Sequence, residues 1–184
     1  MDVDPEVAAE LGFPKLRYVF VERERRWLCT ALPNQLVTRT ERISDLYVTN
    51  TNLRLREAWR MREEPPLLRL TRKVDVDAET RLISSIYMQE SEFALLRSVL
   101  TDRYLHKRRH HLSSAADVVL AIDEFEGDLS GLMLLEAEFP STEALEAFQA
   151  PLCAASEVTR DRRFTGGYLA SHGHPSRTAG GSSD

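Results

Sequence analysis

The stretch FVERERRWL, residues 20–28, decides how the rest of the chain is read. In an extended strand side chains alternate between faces, so Glu22, Glu24 and Arg26 share one wall while Arg23 and Arg25 share the other. Two carboxylates and a guanidinium on one wall demand either solvent or partners.

The same two-residue spacing recurs along the chain. Arg54 and Arg56 share a face in NLRLRE, as do Arg69, Thr71 and Lys73 in RLTRK, Lys107 and Arg109 in HKRR, and Glu136 and Glu138 in LLEAEF. The residues between them are apolar in two of these segments: Leu53 and Leu55 in one, Leu135, Ala137 and Phe139 in the other. Any one such stripe reads most simply as a solvated sheet face. Together they reverse the usual barrel pattern and predict a polar lumen whose outer wall packs against helices and loops. The basic pairs come from several strands, and the acidic pairs from the first and last, which become neighbours if the sheet closes. Buried charge is costly unless paired or ion-bound. A polyanion would satisfy the bases and a divalent cation the carboxylates, so a metal-bound polyphosphate meets both demands.

Eight β-prone segments lie between the ends, at least five of them carrying these stripes: 18–29, 42–50, 51–60, 66–74, 80–88, 104–112, 116–127 and 131–139. Their spacing predicts antiparallel neighbours in an all-β barrel or sandwich. Two insertions read as helices. In QESEFALLRSVL (89–100) Phe93, Leu96 and Leu100 fall on one face; in STEALEAFQA (141–150) Ser141 is placed to cap and Glu143 suits the first turn. The fold class is mainly β with a few helices (α+β).

The 184 residues suit one domain. Composition marks 1–16 as a mobile N-terminal segment, 17–170 as the folded domain and the Gly/Ser/Pro-rich 171–184 as a disordered tail. Charged residues make up 29% of the chain while the net charge is only −5, which argues against a nucleic-acid partner. The longest apolar runs fall far short of the roughly 20 residues of a membrane helix. Cys29 and Cys153 stand far apart without metal-ligand spacing, so they read as packing thiols of a reduced, cytoplasmic protein. His110 and His111 read as surface or lumen-edge residues, and Trp27 and Trp59 as exterior packing.

VERERRWL resembles the ExExK signature of the CYTH proteins, or triphosphate tunnel metalloenzymes, with Arg26 where the lysine usually stands. The likeness continues in order through DLYVTNTNLRLR, LRLTRK, IDEFEGDLSGLMLLEAEF and EVTRDRRFTGGYLA, covering roughly residues 18–170. The resemblance to the short bacterial members implies an eight-stranded antiparallel closed barrel that binds a small-molecule triphosphate or polyphosphate with Mg²⁺ or Mn²⁺. It implies that Glu22, Glu24, Asp123, Glu136 and Glu138 hold the metal. It further implies that Arg26, Arg54, Arg56, Lys73, Lys107 and Arg109 clamp phosphates, with Glu24, Arg26 and Lys73 closest to the chemistry. The activity so implied is hydrolysis of inorganic triphosphate or a small organic triphosphate. Two departures stand out: Arg26 replaces a compact ammonium by a wider fork, and RLISSIYM carries Ser84 and Ser85 where many members have acids. A non-catalytic polyphosphate- or nucleotide-binding module, or a class IV-type adenylyl cyclase, remain the alternatives; a homodimer is neither required nor excluded.

Overall fold

The computed structural model describes residues 3–60, 64–100, 103–114 and 117–175. Nine strands are found among them: β1 (Phe20–Cys29), β2 (Val37–Tyr47), β3 (Leu53–Trp59), β4 (Leu67–Asp75), β5 (Thr80–Tyr87), β6 (Arg103–Leu112), β7 (Val119–Phe125), β8 (Met133–Phe139) and β9 (Ala154–Glu157). Four α-helices accompany them: α1 (Pro5–Glu10), α2 (Glu90–Val99), α3 (Thr142–Ala147) and α4 (Gly166–His172).

All pairings are antiparallel, in the order β5-β4-β3-β2-β6-β7-β8-β1, and β1 returns to β5 to close an eight-stranded barrel. Closure uses only the start of β1, from Phe20 opposite Ile83 to Arg23 opposite Thr80. Beyond that point β1 changes neighbours. The Glu24 N–H donates to the Glu79 carbonyl at 2.8 Å, and the Val158 N–H donates to the Arg26 carbonyl at 2.8 Å. The end of β1 then pairs with β9, Trp27 opposite Glu157 and Cys29 opposite Ala154. This ninth strand, AASE, lies outside the barrel; its four small or polar residues show no alternation from which to predict it. Strand β2 also begins five residues before its expected start, because Val37–Glu41 find partners on β6.

The alternation that puts charge inside puts apolar side chains outside, where helices cover them. Leu46, Leu55 and Leu68 pack with Phe93 of α2, joined by Leu96 and Leu100. The α2 N-terminus is held by the Gln89 N–H donating to Glu92 Oε2 at 2.9 Å, a reciprocal cap that satisfies an otherwise orphaned donor. Trp27, Ile122, Leu135, Ala137 and Phe139 form a second cluster under Leu145 of α3, whose start is capped by Ser141 Oγ accepting from the Ala144 N–H at 3.2 Å. Trp59, expected as exterior packing, is 39% exposed at the end of β3. Each large side chain buried this way contributes about 1.5–3 kcal/mol.

The N-terminal segment expected as a mobile end carries α1, whose first turn is capped by Asp4 Oδ1 accepting from the Glu6 N–H at 2.7 Å. Val3, Ala8 and Phe13 pack there against Val74 and Leu82 on the outside of β4 and β5. Of the expected tail, 171–172 end α4, while 176–184 lie outside the described residues. Phe164 and Leu169 pack on Leu105, Phe125 and Leu134, so the α4 region covers apolar residues that share strand faces with Lys107, Asp123 and Glu136. No helix among the described residues is long and apolar enough to cross a membrane.

Candidate active site

The inward residues line a cavity of about 770 Å³ within the barrel. Among the described residues nine basic side chains line it, Arg26, Arg54, Arg56, Arg69, Lys73, Arg81, Lys107, Arg109 and Arg162, against five acidic ones, Glu22, Glu24, Asp75, Glu136 and Glu138. The excess of positive charge over negative suits a polyanion.

Register creates the acidic centre. Glu24 of β1 lies opposite Glu138 of β8, and Glu22 follows on the same face. One oxygen from each of Glu22, Glu24 and Glu138 lies within 4.8 Å of the others. Three carboxylates with only oxygen donors fit a hard divalent cation such as Mg²⁺ or Mn²⁺. Cations of the protein already crowd this cluster. Lys73 Nζ is 2.5 Å from Glu22 Oε2 and 3.9 Å from Glu24 Oε2; Arg26 Nε is 3.1 Å from Glu24 Oε1. Burial alone would raise the Glu22 carboxyl, but Lys73 and then Arg81 outweigh it and hold Glu22 below its ordinary value. Among the described residues no ion pair joins Glu138 to a cation in this way. Burial first, and the charges of Glu22, Glu24 and Glu136 after it, push its carboxyl up to about 7 against the pull of Arg109.

Two further carboxylates orient the bases. Asp45, fully buried on β2, accepts from Arg56 Nε and Nη2, both at 2.7 Å, with Arg54 Nε at 3.7 Å. Burial opposes ionisation there, yet Arg56 and Arg54 together hold Asp45 far below the carboxylate range. Asp123, also fully buried, accepts from Arg109 Nε and Nη2, both at 2.7 Å, and from the Lys107 ammonium. Asp123 therefore does not join the carboxylate cluster, nor does it line the cavity; both its oxygens are taken by Arg109 and Lys107. The residue expected as a metal ligand thus stands behind Arg109 and Lys107, apart from the group of Glu22, Glu24 and Glu138. Glu136 lines the cavity but is paired with Arg109 rather than grouped with Glu22, Glu24 and Glu138.

Arg26 is also less free than expected. Its Nη1 donates to the Phe164 carbonyl at 2.8 Å and its Nη2 to the Thr159 carbonyl at 3.4 Å, while its backbone N–H donates to Thr159 Oγ1 at 3.0 Å. The residue ties β1 to the segment leading into α4. At that segment Gly166 is required by close approach: a Cβ there would lie 1.9 Å from Tyr47 Oη.

Arg54, Arg56, Lys73, Lys107 and Arg109 all face the cavity as anticipated. Arg81 and Asp45 were not anticipated. Arg81 Nη1 lies 2.9 Å from Glu24 Oε1 and 3.5 Å from Glu22 Oε2, and its Nε donates to Asp75 Oδ1 at 2.7 Å. Alternation from Arg81 through Ile83 to Ser85 would have found it, since all three face the cavity. Of the two serines that replace acids only Ser85 is inward, bonded to Thr71 at 2.9 Å; Ser84 is not part of the lining. His110 and His111 stay away from the acidic centre, bonded to Thr40 and Glu124 and to Arg39 respectively.

No protein-family profile matches the chain. An inorganic triphosphatase of Nitrosomonas europaea is 34% identical over 85 residues, 46% of this chain, and the match spans only 56% of that protein's length. A crystal structure of an inorganic triphosphatase superposes with a TM-score of 0.57 and 26% identity, covering 81% of this chain and 93% of that one. A protein of Pyrococcus horikoshii shares the fold, with a TM-score of 0.52 and 23% identity over 68% of this chain and 81% of its own.

Proposed function

We infer that the chain belongs to the CYTH superfamily of triphosphate tunnel metalloenzymes, and from that premise we propose that it hydrolyses the terminal phosphoanhydride of a small-molecule triphosphate with the help of Mg²⁺ or Mn²⁺. The observation that carries this reading is the meeting of Glu22, Glu24 and Glu138 within 4.8 Å of one another in a cavity rich in arginine and lysine. A bare acidic cluster attracts any cation, whereas one ringed by guanidinium groups suits a cation that arrives with phosphate.

A divalent cation held by Glu22, Glu24 and Glu138 would draw charge from the phosphate oxygens. The chain's own residues supply the rest. Arg54 and Arg56, fixed from behind by Asp45, and Arg109 and Lys107, fixed by Asp123, present charge-assisted donors whose positions are set before substrate arrives. Lys73 is one-quarter exposed and sits between the carboxylates and the open lumen, where it can follow charge onto the leaving oxygen. In the reaction water oxygen bonds to the terminal phosphorus, the anhydride P–O bond breaks, the bridging oxygen leaves with the remaining diphosphate, and the water's proton passes to solvent. Arg26 positions the β1 wall through Thr159 and Phe164.

The test is phosphate release from inorganic triphosphate, ATP and thiamine triphosphate with Mg²⁺ or Mn²⁺, compared with a Glu24→Gln, Glu138→Gln variant. Metal-dependent turnover that disappears in the variant supports the hydrolase. One observation favours a second reading: the inward face of β5 offers Arg81, Ile83 and Ser85 and no carboxylate. If the chain binds triphosphate tightly yet releases no phosphate from any of the three compounds, it is a binding module.

A further inference from the structure

Only two cysteines occur in the chain, 124 positions apart, and the fold brings them together. Cys29 ends β1, and Cys153 immediately precedes Ala154, which is the register partner of Cys29 on β9. Both side chains belong to the cluster around Trp27 and Leu135. Neither takes part in the lumen. Cys153 stands one position from the residue directly opposite Cys29, and both side chains belong to one packed cluster, so bridging them needs no movement of an element.

We propose that Cys29 and Cys153 form an intramolecular disulfide when the protein meets a thiol oxidant of the small-molecule disulfide class, stapling β9 to β1. The two thiols differ in the way such a reaction needs. Cys153 is partly exposed and open to attack on a disulfide from solvent, whereas Cys29 is buried. Burial first, and Cys153 beside it, push the Cys29 thiol up to about 12, so Cys153 is the thiol that meets the oxidant first. The Cys153 thiolate attacks the small disulfide, forming a mixed disulfide and releasing one thiolate. The Cys29 sulfur then displaces the second small thiol as its own proton leaves with it. Two protein thiols are oxidised and one small disulfide is reduced to two thiols.

The staple acts on the stretch that seats Arg26. Strand β9 is held to β1 by two backbone pairings and by Arg25, whose Nε and Nη2 donate to Glu157 at 2.9 and 2.7 Å, and it leads directly to Thr159. A covalent bond at its start would suppress its detachment and hold the Thr159 and Phe164 carbonyls against the guanidinium.

The experiment incubates the full chain with excess oxidised glutathione, quenches with an alkylating agent and measures intact mass, non-reducing peptide maps and amide hydrogen exchange. The expected result is a monomer lighter by two hydrogens, a Cys29–Cys153 linked peptide, and amides of residues 154–158 exchanging about tenfold more slowly than in the reduced protein. Cys153→Ser should abolish both changes while leaving the reduced protein's exchange pattern intact; Cys29→Ser should stop at a glutathione adduct on Cys153. Two alkylated thiols after oxidation, a stable glutathione adduct on the unaltered chain, or a disulfide-linked dimer would overturn the proposal. A linked peptide without slower exchange would overturn the staple.

Discussion

Glu138 is the residue where the tunnel's charge is least balanced. Its carboxyl is pushed up to about 7 by burial and by Glu22, Glu24 and Glu136, whereas Glu22 has Lys73 as a partner. Replacing it by Gln removes one like charge without removing volume. Glu138→Gln should raise the melting temperature of the EDTA-treated protein by roughly 2–6 °C, since about 1 kcal/mol moves a domain of this size by about 2–4 °C. The same variant should lose the stabilisation that Mg²⁺ confers on the unaltered chain; melts with EDTA and with Mg²⁺ check both, and undiminished Mg²⁺ stabilisation would remove Glu138 from the metal site. Asp45 presents the opposite case, a buried carboxylate fully used by Arg56 and Arg54. Asp45→Asn leaves two buried guanidinium groups short of charge and should cost about 3–5 kcal/mol in urea unfolding; a loss below about 1 kcal/mol would show that water reaches Arg56. Such residues explain what sequence reading captures at the site. Glu22, Glu24, Arg54, Arg56, Lys107 and Arg109 announce themselves as i, i+2 pairs of one sign, whereas Arg81 in TRLISSIY shows itself only when the alternation is followed to Ile83 and Ser85, and Asp45 in RISDLYV, which does not line the cavity, takes its meaning from Arg54 and Arg56.

Among the elements, the eight barrel strands were legible because many of them alternate, and α2 because Phe93, Leu96 and Leu100 recur at helical spacing. Helices α1 and α4 were not, being six and seven residues long with burial that exists only once β4, β5 and β6 lie beneath them. The α4 region shows how tightly such a short element can be specified. A methyl group at Gly166 would meet Tyr47 Oη at 1.9 Å and Cζ at 2.7 Å, so either the tyrosine or the helix start must shift. Gly166→Ala should therefore destabilise the protein by about 1–3 kcal/mol and weaken triphosphate binding, because Tyr47 is hydrogen-bonded to Arg54. Adding Tyr47→Leu should restore much of the stability but not the binding. Calorimetry and equilibrium unfolding on the single and double variants measure the two effects; additive losses would show that the two side chains do not compete for space.

For the molecule as a whole, closure of the sheet places many ionised carboxylates where water is scarce, and stability should depend on pH accordingly. Glu41 is held at about 2 by its hydrogen bond to His111 against the cost of burial, with Arg39 and Arg60 assisting; Asp45 lies lower still. A carboxyl whose folded value is depressed stabilises the fold above its unfolded value, near 4.5 for Glu41, and that contribution disappears as pH falls through the folded value. Unfolding free energy should thus fall steadily from about pH 4.5 towards pH 2 in denaturant titrations, and Glu41→Gln should flatten the slope. A curve indifferent to pH across that window would mean that these pairs do not survive in solution. The topology carries a different consequence, in time rather than in energy. The carboxylates of the candidate metal site are divided between residues 22–24 and residue 138, and β1 finds its barrel neighbours only in β5 and β8. During synthesis the first strand must therefore wait, unpaired on one edge, until β8 has left the ribosome, and no ion can help assemble the nascent chain before the strand bearing Glu138 emerges.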